Sequence, residues 1–429
     1  MTQSIEIHIH SLGPIRNSRL EVTPFMVFSG ESGTGKSYTS LLVHYIYRIL
    51  CSREMSRFFQ SMGASFDEQK AQLPDSNGGK LCEFTLEQFE AWLGKDAIKY
   101  VGEMLGNFSL QGDVSIRFSG LEANYQLTYK KEVIEMEGEM MYYDTIYLNR
   151  VPLRLPYRSE GWGEIPYVVL FSTYLRGILG IRQTKTFIMP PSRGGIVCLN
   201  DMGRTSFVNS QGGLYNAFIS DLSELKSQNI QEDPAQALYS SLSRSLINGT
   251  INQRDNDLYY EQAYGEIPIT ASAASIKELA PFILMLQKGV VSQYAVMFEE
   301  PETNLHPELQ IKMADTLVSL LQEGCRFHIT THSDYFLRRI NDLIRLDILS
   351  QKLSSEAYAE FCKQHHYHPS LRLDIQLVKA YYFKHTSSYE VEIREQDART
   401  GIPFDTFQSV LDHQLTDSSY LYDQISEAE

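Results

Sequence analysis

Gly30-Glu31-Ser32-Gly33-Thr34-Gly35-Lys36-Ser37 fits the pattern G-x-x-x-x-G-K-[ST], the phosphate-binding loop of nucleotide triphosphatases. Its glycines permit a tight loop whose N–H groups converge on phosphate oxygens. Lys36 supplies a point charge for the β- and γ-phosphates, and the Ser37 hydroxyl is placed to ligate Mg²⁺. The flanks agree. Phe25-Met26-Val27-Phe28 is an apolar run of buried-strand length, and the chain from Ser37 to Arg48 can open a helix. A helix N-terminus aimed at phosphate is an anion site. A Gly/Ser-rich turn that matches by chance is the competing reading, and strand, loop and helix together weigh against it.

Two later stretches supply what such a loop needs. Tyr294-Ala295-Val296-Met297-Phe298 reads as a buried strand ending in Glu299-Glu300-Pro301-Glu302. Adjacent acids at a strand end repel unless a cation lies beside them. One acid, Glu299, is expected in the Mg²⁺ shell, and Glu300 is expected to orient or deprotonate water. Phe327-His328-Ile329-Thr330-Thr331-His332 is a short strand ending in a histidine 32 residues after Glu300. There His332 can donate a hydrogen bond to a γ-phosphate. Glu299 lies 263 residues beyond Lys36, a spacing that suits a core split by a large inserted lobe.

The 429 residues are 43% hydrophobic, ample for two or three lobes. Five scattered cysteines without C-x-x-C argue for a reducing compartment and against structural zinc. With no basic-then-apolar leader and no apolar run long enough to span a bilayer, a cytoplasmic protein is expected. A net charge of −15 works against a simple nucleic-acid binder. Yet Arg150, Arg154, Arg158, Arg176, Arg182, Lys185 and Arg193 face only Glu160 and Glu164, so the 150–193 segment carries +5. It is a candidate nucleic-acid contact, or a stripe that pairs with the chain's own acids.

Alternation predicts strands at Ile5–Ile9, at Leu20–Val22, and over Val114–Phe118, Tyr125–Tyr129 and Tyr143–Leu148. Helical spacing predicts helices over 38–70, 166–181 and 214–250. Residues 72–80 read as an exposed loop and 132–139 as a solvated strand edge and turn. Leu371, Leu373, Ile375 and Leu377 alternate, as do Tyr389, Val391 and Ile393, which predicts a β-hairpin before a final helix. His365, His366 and His368 lack an acidic or cysteine partner at ligand spacing and read as a polar loop.

The phosphate loop, Phe298-Glu299-Glu300-Pro301-Glu302-Thr303-Asn304-Leu305-His306-Pro307 and Thr330-Thr331-His332-Ser333, with the opening strand through Leu12-Gly13-Pro14-Ile15, together resemble the ATP-binding-cassette type ATPases. Within these, the segments resemble the OLD-type (overcoming lysogenization defect) and RecF- and SMC-like ATPases, the group often labelled AAA_15 or AAA_21. The resemblance implies an α/β fold. It would have a mixed central sheet carrying the phosphate loop, an antiparallel β-lobe and an inserted helical lobe. The ATPase domain would span 1–345, with the helical lobe at about 200–285, and 346–429 would form a hairpin and helix packed on it. OLD proteins carry a C-terminal Toprim nuclease, and 346–429 holds no Asp-x-Asp for one.

The resemblance further implies ATP and Mg²⁺ as cofactors and a dimer enclosing two ATP molecules. Each signature segment would touch the nucleotide of the other copy. Thr270-Ala271-Ser272-Ala273-Ala274-Ser275-Ile276 stands at the signature position with alanines where the family has glycines, leaving Ser272 and Ser275 as donors. An effector, a nuclease or toxin on another polypeptide, is the implied partner, in phage defence or DNA maintenance. The contrasting expectation is a nucleotide-gated scaffold that hydrolyses little.

Overall fold

A computed structural model describes residues 3–74, 77–136, 139–156, 160–201, 213–255, 257–399, 401–403 and 405–428. It divides into two compact units of interleaved sequence. Among the described residues, no helix is long and apolar enough to cross a membrane.

The first unit comprises Met1–Val22, Leu41–Phe187 and Gln293–Val296. Its strand Ser4–Leu12 pairs antiparallel with Ile15–Glu21 and with Gly112–Ser119. Alternation places Ile5, Ile7 and Ile9 in the core at 3% exposure or less. A separate antiparallel sheet has the order Gly78–Thr85, Asn124–Met136, Glu139–Leu148, Val151–Pro156. Helix Leu86–Met104 starts in a capping box, in which Thr85 and Gln88 satisfy each other's backbone N–H groups. The helix lies close against Gly112–Ser119, because a Cβ on Gly94 would sit 2.3 Å from the Val114 carbonyl oxygen. Phe58, Phe59, Phe84, Phe89, Tyr125 and Phe171 fill the core, with Phe84 and Phe171 edge to face at 5.0 Å. Each such burial contributes about 1.5–3 kcal/mol before entropy is counted.

The second unit comprises Thr23–Ser40, Ile188–Ser292 and Met297–Glu429. Strand Phe25–Gly30 lies between Arg326–Thr330 and Val378–His385 and is parallel to both. Val378–His385 turns back antiparallel into Val391–Gln396. Beyond Arg326–Thr330 come the ends of strands Tyr294–Glu299 and Lys185–Met189. The mixed sheet is thus α/β in kind, and its inner strands are apolar throughout. Phe25 to Phe28, Met297 and Phe298 are fully buried, as strands covered on both faces must be.

Several local expectations are corrected. The 38–70 stretch is not one helix. Helix Lys36–Cys51 ends where Ser52 caps a short turn, and Gly63 at φ +64° separates Ser56–Ser61 from Phe66–Ala71. The exposed loop ends sooner than expected, since Gly78, Gly79 and Lys80 already belong to a strand. Leu371 to Leu377 is not a strand, because Asp374 accepts the Gln376 N–H at 2.8 Å and turns the chain into Ile375–Leu377. Strand Gly112–Ser119 pairs with the N-terminal strand instead of joining the 124–156 sheet. Between helices Gln236–Leu246 and Ala274–Gln287 runs an unanticipated three-stranded sheet, Thr250–Arg254, Asp257–Gln262 and Gly265–Pro268. Its strands are mostly polar, and only Ile251, Leu258 and Tyr260 are buried.

Candidate nucleotide site

The site is built at the ends of three neighbouring strands of the second unit. Strand Phe25–Gly30 delivers the loop, and Lys36 opens the helix that follows. Gly30 has φ +130°, and a Cβ there would lie 2.5 Å from the Phe383 carbonyl oxygen. Gly33 and Gly35 also take positive φ. Thr34 Oγ1 donates to the Glu31 carbonyl at 2.7 Å. Glu31 and Ser32 are exposed. Lys36 Nζ donates to the carbonyls of Gly30 at 2.9 Å and Glu31 at 2.5 Å. Burial lowers its pKa to about 8 against the opposing pull of Glu300, Glu299 and Glu31, so it stays mainly protonated at pH 7.

Glu299 and Glu300 arrive on strand Tyr294–Glu299 and the turn after it. Glu299 is 2% exposed. Its carboxylate accepts from Ser37, and burial raises its pKa to about 7. Its Oε2 has no hydrogen-bond partner among the described residues. Glu300 sits at φ +46°, a conformation that costs a non-glycine residue about 1 kcal/mol or more and clusters at functional sites. Its N–H donates to the Thr330 carbonyl at 3.0 Å, and its Oε2 accepts from Thr303 Oγ1 at 3.0 Å.

The third strand, Arg326–Thr330, brings Thr331 and His332. Glu302 Oε1 accepts from Thr331 Oγ1 at 2.8 Å and from the His332 N–H at 2.7 Å. Burial raises the Glu302 pKa, while these donors oppose the shift. Burial, then Lys36, lowers the pKa of His332. Its imidazole is therefore held neutral, within electrostatic reach of both Lys36 and Glu300.

Lys36, Ser37, Glu299, Glu300 and His332 are thus brought together, while Ser272 and Ser275 lie elsewhere in the unit. Ser272 is 8% exposed, and its hydroxyl donates to the Ile269 carbonyl at 2.7 Å. Half-buried Ser275 lies in the first turn of helix Ala274–Gln287, whose N-cap Ala273 offers no side-chain cap. Both line a groove of about 700 Å³ with Arg244, Tyr260 and Lys312.

Sequence reasoning missed Arg193, and the structure corrects its place among the surface cations. It is fully buried. Its guanidinium donates to the carbonyls of Glu278, Pro190 and Glu299 at 3.0, 3.1 and 2.9 Å, and to that of Glu300 at 3.4 Å. It also lies over the Phe298 ring. Burial lowers its pKa only to about 10, so it remains charged. The one available signal was an arginine just past a Pro-Pro break after a short apolar strand. In the rest of the basic segment, Arg154 pairs with Glu132 and Arg176 donates to the Gln183 carbonyl. Arg150 and Arg182 are exposed, and Arg158 lies outside the described residues. Among the described residues no three His, Cys, Asp or Glu side chains gather as a metal cluster.

Residues 209–337 match the AAA_15 family model, an AAA ATPase domain. No curated protein matches the sequence. Solved structures that align with it include an SMC head bound to the C-winged helix domain of ScpA (10% identity, 92% of this chain and 97% of that one, TM-score 0.38). Another is the SMC head domain from Thermotoga maritima (10% identity, 92% and 100%, TM-score 0.32). A third is an SMC head with an extended coiled coil bound to the C-terminal domain of ScpA derived from Pyrococcus furiosus (9% identity, 96% and 99%, TM-score 0.36). The domain match covers under a third of the chain and supports an AAA-type ATPase domain there.

Proposed function

We propose that the protein binds ATP with Mg²⁺ at this loop and hydrolyses it. Two copies would enclose two nucleotides and control a separate effector, a nuclease or toxin, in phage defence or DNA maintenance. The observation that carries the ATPase reading is the meeting of the Ser37 hydroxyl with the buried Glu299 carboxylate, which keeps one oxygen unpartnered. Hydroxyl and carboxylate are the hard oxygen donors that Mg²⁺ takes, so the residues fit the ion.

Bound there, Mg²⁺ supplies countercharge to the phosphates. The loop N–H groups and Lys36 hold the β- and γ-phosphates. Glu300, fixed by Thr330 and Thr303, takes the proton of the attacking water. His332 presents a neutral imidazole N–H toward the γ-phosphate. Ser275, with Ser272 behind it, contacts the nucleotide of the second copy. The ATPase domain is assigned to 1–345, with 346–429 as its extension.

Phosphate release and direct ATP binding test this reading together. Lys36→Ala removes a charge-assisted contact of about 1.5–3 kcal/mol and should weaken ATP binding about 10–100-fold. Glu300→Gln keeps the shape but cannot accept the proton. It should bind ATP normally and release phosphate about 10²–10⁴-fold more slowly. Undiminished ATP affinity in the first variant, or native turnover in the second, would overturn the assignment. The second reading, a nucleotide-gated scaffold, is favoured by the alanines around Ser272, whose hydroxyl already donates within the chain. It predicts tight ATP binding with negligible turnover in the native protein.

A further inference from the structure

Helix Ala274–Gln287 and the Glu299–Glu300 turn are joined by one buried side chain. Arg193 Nε donates to the Glu278 carbonyl on that helix at 3.0 Å, and the Glu278 carboxylate lies 3.6 Å away. The other arm of the same guanidinium donates to the carbonyls of Glu299 and Glu300. A second link runs alongside. Asn304, at φ +60°, donates from Nδ2 to Glu278 Oε1 at 3.3 Å. Glu278 is 3% exposed. The two ends of this strut are functionally distinct. One is the helix whose first turn holds Ser275, and the other is the backbone that aims the two site carboxylates.

A planar guanidinium with five fixed donors can hold several carbonyls at once, whereas a lysine ammonium on a flexible stem cannot. Cavities this densely filled move by discrete repacking and not by gradual bending. A shift of helix Ala274–Gln287 is therefore passed to the carbonyls of Glu299 and Glu300.

We propose that Arg193, with Glu278 and Asn304, is a positioning element. It makes the aim of the Glu300 carboxylate depend on what engages the start of helix Ala274–Gln287. The proposal rests on the ATPase reading above. Among the described residues, Arg193 makes no hydrogen bond to the phosphate loop. Its loss should therefore change turnover more than nucleotide affinity.

The test uses the full chain with Arg193→Lys, Glu278→Gln, Asn304→Gly and the Arg193→Lys/Glu278→Gln double variant. Phosphate release, ATP binding and thermal midpoint are measured for each. Asn304→Gly tolerates the positive φ and removes only the amide, so it remains informative if Arg193→Lys does not fold. Expected are at least tenfold lower kcat in Arg193→Lys and severalfold lower kcat in Glu278→Gln and Asn304→Gly. ATP affinity should stay within about threefold of native, and the double variant should be no slower than the worse single one. Native kcat in the folded single variants would overturn the proposal. So would losses of ATP affinity that parallel those of kcat, because those mark a merely structural role. A native protein that binds ATP without turnover would overturn the ATPase reading, and this proposal with it. Native turnover that survives in all variants would sink the proposal alone.

Discussion

At the residue scale, the site depends on burial as much as on residue type. His328 lies on strand Arg326–Thr330, whose end leads to His332, but it is 1% exposed and burial lowers its pKa to about 3. His332 is only half-buried and close to Lys36. One short segment thus holds a histidine sealed in the core and, just past the strand end, a half-buried histidine that is the candidate for the site. The His328 pKa is depressed below its unfolded value of about 6.5, so the unfolded chain binds more protons between those limits. Stability should therefore fall as pH drops from about 6.5 toward 3, by at most about 1.4 kcal/mol per pH unit from this group. A His328→Gln variant, which cannot titrate, should show a flatter acid limb in thermal midpoint between pH 6.5 and 4. An unchanged slope would mean that His328 does not contribute.

At the element scale, three strand ends make the site, and the loop's shape depends on its neighbour. Gly30 sits opposite Phe383 in the parallel pair with Val378–His385. Gly30→Ala must accommodate both φ +130° and a Cβ 2.5 Å from a backbone oxygen. Such a position should cost about 1–3 kcal/mol and distort the loop. A lowered thermal midpoint together with weakened ATP binding is expected, whereas Gly33→Ala meets nothing within 4 Å and should disturb mainly through its φ. Equal effects of the two substitutions on stability would show that the strand contact at Gly30 is not limiting. The motif showed that glycines were needed. It did not show that the first one faces a strand more than 340 residues later in the chain.

At the scale of the whole molecule, the proposed trans site has a definite stoichiometric test. A Lys36→Ala copy keeps its helix start, and a Ser275→Arg copy keeps its phosphate loop. Ser272 is left alone because an arginine would not fit at a position only 8% exposed. Each variant alone should be nearly inactive. An equimolar mixture should recover up to about a quarter of native phosphate release, because half of randomly formed pairs are mixed and each mixed pair holds one intact composite site. Mixed dimers that stay inactive, or a monomeric preparation with full turnover, would rule out the trans arrangement.

The sequence by itself determined the phosphate loop, the acidic strand end and the histidine strand end. Each is a local pattern in which an apolar strand delivers polar residues to its C-terminal end. It also determined the α/β character, because apolar runs of strand length alternate with helical spacing. Tertiary structure alone decided the rest. The 250–268 strands are too polar to announce themselves, and Leu371 to Leu377 alternates yet is turned by the Asp374 side chain. Arg193 reads as one more cation in a basic run, but it is buried among carbonyls of Pro190, Glu278, Glu299 and Glu300. The physical reason is common to all three. Local propensity reports how a segment prefers to fold, whereas desolvation and hydrogen-bond partners come from segments distant in sequence. Only the folded chain fixes which polar groups must meet.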